Sequence, residues 1–153
     1  MDWSHSLRLI APEELLSISG LVLLLVAAWA GDKASRTISV LCVAALVGAG
    51  VLVAPALCAG AMGPDTVAFS GQFRADAFAS FAKILIYGAA AASLMVAPTF
   101  FERFGAMRAE YPLLILFAAL GGGIMASASD LLTLYIGLEM ASLASYVLAA
   151  FLR

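Results

Sequence analysis

The sequence predicts an all-α integral membrane protein with five transmembrane helices, and three observations lead there. Of 153 residues, 64% are hydrophobic and only 12% are Asp, Glu, Lys or Arg, about half the usual charged share of a soluble domain. Mean hydropathy is +1.06, and a soluble domain this apolar could not cover its surface with polar groups. The apolar residues also gather into stretches of about 20, the length a helix needs to cross a hydrocarbon core of about 30 Å. This composition excludes an ordinary cytosolic enzyme and a disordered tail. The net charge of −2 gives no surface for nucleic acid. One membrane domain, residues 1–153, is expected.

The first span is expected at about 12–30. Pro12 suits a helix start, and Glu13 and Glu14 sit well at the positive end of the helix dipole. The second, about 37–58, opens at Thr37 and carries Pro55 in its last turn. The third, about 76–98, has Asp76 as a cap and Pro98 near its end. The fourth, about 112–128, has Pro112 in its first turn. The fifth, about 130–152, has Asp130 as its N-cap. The connections are short except for an outer loop at 59–75, rich in turn residues (Gly60, Gly63, Pro64, Asp65, Ser70, Gly71). Within it, Val67-Ala68-Phe69 reads as a short extended or hairpin element.

Ala28-Trp29-Ala30 imitates a signal-peptide cleavage site, but a positive leader is missing: Asp2, Glu13 and Glu14 outweigh Arg8. The first span is therefore expected to be retained. Lys33, Arg36, Arg103, Arg108 and Arg153 fall on one side of the five spans, and Arg8 and Arg74 on the other. The positive-inside rule then places the N-terminus outside and the C-terminus in the cytoplasm. Cys42 and Cys58 lie in one span, about 24 Å apart along a helix at roughly 1.5 Å per residue, so they cannot bridge within it. Both read as small buried hydrophobes. His5 is the one histidine, so no Cys/His metal cluster is expected.

Glu139 carries the most information. It lies close to the middle of the fifth span, where a charge costs about 2.5–3.5 kcal/mol on insertion scales. Burial penalises its charged form and a cation partner restores it, so it can accept and pass a proton. Tyr135, Glu139, Ser142 and Tyr146 share one helical face, a polar stripe that could wall a hydrated path. The plainer reading is a neutral glutamate used as interhelical glue. Lys83 lies inside the third span. It can snorkel to the outer surface, or act as a cationic relay or partner for a carboxylate. Gly121-Gly122-Gly123 lacks the strand and Lys-Ser/Thr of a phosphate loop and reads as close packing. Met95, Met107, Met125 and Met140 show no ligand spacing.

From Ala118 the chain is recognisable. The stretch Gly121-Gly122-Gly123-Ile124-Met125-Ala126-Ser127-Ala128-Ser129-Asp130, followed by Tyr135-Ile136-Gly137-Leu138-Glu139-Met140 and Ala141–Phe151, resembles the subunit N family of bacterial NADH-quinone oxidoreductase, respiratory complex I. Phe73-Arg74-Ala75-Asp76-Ala77-Phe78 and Phe81-Ala82-Lys83 resemble the start of that family's third helix. The resemblance implies the N-terminal third of an antiporter-like subunit of about fourteen helices, of which this chain has length for five. It implies a proton-translocating membrane-arm subunit in the bacterial inner membrane, working while other parts oxidise NADH and reduce quinone. Flavin, iron–sulfur clusters, NADH and quinone would belong to those parts, with no cofactor in this chain. Partners would be other membrane-arm subunits and the lipid bilayer.

The resemblance also implies that Glu139 is a functional carboxyl, an electrostatic switch paired with a lysine on a later helix. Lys83 is not that lysine by position. Tyr135, Ser142 and Tyr146 would support Glu139. Two other readings stand beside this one: a subunit of a multisubunit cation/proton antiporter, and a non-catalytic assembly scaffold.

Overall fold

The computed structural model describes residues 3–62, 64–104 and 108–151. Asp2, Gly63, Met107 and Arg153, named above, lie outside the described residues, as does the side chain of Arg103. Five α-helices are described: α1 (Trp3–Ala30), α2 (Ser35–Cys58), α3 (Ala77–Phe104), α4 (Glu110–Ser127) and α5 (Leu131–Ala150). A tight 3-10 turn, Gly31–Ala34, joins α1 to α2. Gly31 there takes φ +62°, a left-handed conformation that costs glycine little. Four unbroken helical runs among the described residues are long and apolar enough to cross a membrane. The first, Trp3–Cys58, is α1, the turn and α2 together.

Several helix ends differ from the sequence expectation. α1 begins at Trp3 and runs through Pro12, which is buried inside it. A proline forfeits one backbone hydrogen bond, but an apolar helix packed among neighbours absorbs that loss. Glu13 therefore sits in the body of α1 rather than at its open end. α3 likewise passes Pro98 and continues to Phe104. Both expected aspartate caps form. Asp76 accepts from the Ala79 amide at 2.8 Å, and Asp130 from the Thr133 amide at 3.0 Å.

α4 is the central helix, packed against α1, α2, α3 and α5. Leu113, Leu116, Ala119 and Leu120 of α4 join Leu16 and Leu23 of α1, Cys42 and Leu46 of α2, and Tyr87 and Leu94 of α3 in one core. Lipid tails are as apolar as leucine, so close packing rather than water exclusion holds such helices together. The glycine run shows how. A Cβ on Gly121 would stand 2.7 Å from the Gly137 carbonyl oxygen and the Ala141 nitrogen, so α4 and α5 touch backbone to backbone there. Cys42 is buried as expected, but Cys58 is exposed. It is the last residue of α2.

The long loop forms a small hairpin. β1 (Val67–Ala68) pairs antiparallel with β2 (Phe73–Arg74), in register Val67 to Arg74 and Ala68 to Phe73. Phe73 also bridges to Ala128, and the Ser129 amide donates to the Gln72 carbonyl at 2.9 Å. The hairpin is thereby fastened over one end of the bundle. At the other end, Phe101 packs edge to face on Tyr111, with centres 4.8 Å apart, and on Phe151, while Tyr111 and Phe151 meet at a tilt.

Candidate functional site

The Asp130 cap sets the start of α5 and so the direction in which each side chain leaves it. Gly137 and Ala144 form its buried face. Tyr135, Glu139, Ser142 and Tyr146 lie about half a turn away, at roughly 100° per residue. Tyr135 is 58% exposed and Tyr146 69%, while Glu139 and Ser142 are half-buried. The stripe thus faces away from α4. Along it the Tyr135 hydroxyl interacts with the Glu139 carboxylate one turn further on. The expectation of a buried Glu139 differs from its half-buried position against this chain's own helices.

Lys83 behaves otherwise. It does not snorkel, for its side chain is 2% exposed and its Nζ lies 2.6 Å from Oε1 of Glu13. Lys83 is thus a carboxylate partner, but to the glutamate of α1 and not to Glu139. Glu13 is itself 4% exposed. The Tyr87 hydroxyl donates to the same Oε1 at 3.2 Å. The ring of Phe73, on β2, lies 4.7 Å from Nζ, a cation–π contact that supports the ammonium where water is excluded. The hairpin therefore closes directly over the ion pair.

Helical spacing assembles this cluster. Lys83 and Tyr87 are one turn apart on the inward face of α3, in a buried series with Ala91 and Leu94. Asp76 begins the same face, and its charge acts on Lys83. On α1, Glu13, Leu16, Gly20 and Leu23 form the buried stripe. Gly123 of α4 completes the enclosure, because a Cβ there would overlap the Tyr87 hydroxyl. Two buried side-chain oxygens lack a hydrogen-bond partner among the described residues: Oε2 of Glu13 and Oγ of Ser127.

Sequence reasoning missed Glu13 and Tyr87. The available signal was Lys83 and Tyr87 one turn apart on one face of a long apolar helix, a cation inside a span with no carboxylate within a turn of it. Glu13 was misplaced because Pro12 suggested a helix start. Among the described residues no group of three His, Cys, Asp or Glu is placed to hold a metal ion.

No family model matches the chain. Individual relatives do. The NADH-quinone oxidoreductase subunit N of Erythrobacter litoralis is 61% identical over all 153 residues, which make up 31% of its length. The subunit N of Rhizorhabdus wittichii is 53% identical, again over the whole chain and 31% of the relative. That of Sphingopyxis alaskensis is 50% identical over 96% of the chain and 29% of its own length. The chain thus spans about three tenths of the relatives it matches. Its long apolar helices agree with a membrane location. The similarity visible from Ala118 onward extends over every helix, so that along its whole length the chain is similar to proteins named NADH-quinone oxidoreductase subunit N.

Proposed function

We propose that this chain forms part of a membrane-arm subunit of NADH-quinone oxidoreductase that takes part in proton translocation. The observation that carries this reading is the 61% identity over the whole chain to a subunit N. The five α-helices each cross the bilayer. The N-terminus and the hairpin lie outside, and the C-terminal end of α5 lies in the cytoplasm, in keeping with the positive residues near the helix ends. NADH, flavin, iron–sulfur clusters and quinone reside in other subunits, which are also this chain's partners. Further helices, within a parent subunit of about fourteen, cover the polar face of α5.

Glu139 is the functional carboxyl on that face. When ionised it stabilises a protonated lysine supplied from outside residues 1–153, and when neutralised or re-paired it lets that lysine release its proton. Tyr135, Ser142 and Tyr146 hold hydrogen bonds along the same path. Support comes from the stripe itself: four polar side chains in register, turned away from the helices of this chain. The test is Glu139→Gln in the complete assembly, with NADH oxidation and vesicle acidification measured together. Proton transport per NADH falls while the assembly persists. Unchanged transport at normal assembly levels overturns the role of Glu139.

A further inference from the structure

We propose that Glu13, Lys83 and Tyr87 form a second proton-exchanging site, separate from the α5 stripe and open to protons at the hairpin end of the bundle. It goes beyond the reading above and does not require Glu139.

A buried ion pair is weak evidence of a stabilising device, because well-packed apolar residues of the same volume usually do as well. Ionisable groups at membrane depth instead tend to mark proton paths. The geometry of this pair suits that task. At 2.6 Å, Nζ and Oε1 are at charge-assisted hydrogen-bond distance. One proton can pass from Nζ to Oε1, breaking an N–H bond and forming an O–H bond. The products are a neutral amine and a neutral carboxylic acid, with no change in total charge.

The second observation is where the unsatisfied atoms lie. Lys83 and Tyr87 both converge on Oε1, which leaves Oε2 of Glu13 buried with no donor among the described residues. A simple staple would use both oxygens, since an unpaired buried acceptor is costly. The other orphaned oxygen is Oγ of Ser127, which is 1% exposed. Ser127 lies one turn, about 5.4 Å, beyond Gly123, the residue whose missing side chain admits the Tyr87 hydroxyl. Ser127 also lines a cleft of about 470 Å³ beneath the hairpin, together with Arg74, Asp76 and Ser129. Ser127 and Gly123 thus place one orphaned oxygen on the α4 face that meets Tyr87, and the same serine borders this cleft. The charged groups bearing on Lys83 are Glu13 from α1 and Asp76 at the cap of α3, with the Tyr87 phenol beside them. Arg74 of β2 and Ser127 of α4 line the cleft. The ligand class is a proton delivered on water, taken first by the open Oε2.

The test uses a membrane-permeant carbodiimide, which reacts with a protonated carboxyl and leaves either an N-acylurea on Glu13 or, where the Lys83 amine displaces the urea, an amide joining the two residues; both products count as labelling. The complete assembly is treated over a series of pH values, and the modified peptide carrying Glu13 is quantified by mass spectrometry. Labelling is expected to rise as pH falls, about tenfold per unit on the alkaline side of the midpoint. In Lys83→Met the carboxyl loses its counter-ion, and labelling should persist into the alkaline range. Absence of labelling at every pH in the unmodified chain overturns the proposal and leaves a permanently charged staple. So does labelling that is independent of pH. Neither result bears on Glu139, whose role is read separately from proton transport.

Discussion

Gly123 on α4 leaves the space that the Tyr87 hydroxyl of α3 occupies, and that hydroxyl donates to Glu13 of α1. Three helices therefore meet where one lacks a side chain. Gly123→Ala would push Tyr87 off Glu13, at a cost of about 1–3 kcal/mol for overpacking. Adding Tyr87→Phe removes the displaced hydroxyl and should recover part of the loss. Thermal unfolding of the solubilised assembly measures both.

The ion pair gives a sharper stability pattern. Glu13→Gln strands a buried cation, and loss of one partner of a buried pair costs about 3–5 kcal/mol. The double change Glu13→Gln with Lys83→Met leaves no stranded charge and should return most of that. The amount of assembled subunit on a native gel reports the difference. Equal losses in the single and double variants would mean that the charges do not compensate each other.

Gly121 and Gly122 are adjacent but not equivalent. A Cβ on Gly121 meets the backbone of α5 at 2.7 Å, whereas one on Gly122 meets only the Ile86 side chain, at 3.3 Å from its Cγ2 methyl. Gly121→Ala should separate α4 from α5 and reduce assembly. Gly122→Ala should be tolerated within about 0.5 kcal/mol. Protease resistance of α5 in the two variants distinguishes them.

Glu139→Gln keeps the size of the side chain and its ability to hydrogen-bond with Tyr135, so the subunit should still assemble to normal levels. Any loss of proton transport then reports chemistry rather than misfolding. Comparing the melting temperature with transport in the same preparation settles the point.

The cap of α5 offers a local control. Asp130→Ala removes the acceptor for the Thr133 amide and should cost about 1 kcal/mol, while Asp130→Asn should restore most of it. A melting series across the three side chains checks this.

Much of this protein could be read along the chain. Apolar runs of spanning length reveal the helices, because a bilayer demands them whatever the packing. Asp76 and Asp130 announce their helices because a cap bonds to an amide only three residues away. The polar stripe of α5 is likewise legible, since helical spacing alone puts Tyr135, Glu139, Ser142 and Tyr146 on one face. The tertiary structure decided the rest. The stripe marks one face of α5 but not which neighbour either face meets, so nothing local told that α5 turns Gly137 onto α4 and Glu139 away. Pro12 read as a beginning, yet neighbours hold α1 helical through it, and that carries Glu13 into the core. The partner of Lys83 was hidden for the same reason. Glu13 and Lys83 are far apart along the chain, and only the packing of α1 and α3 brings a carboxylate and an ammonium to 2.6 Å.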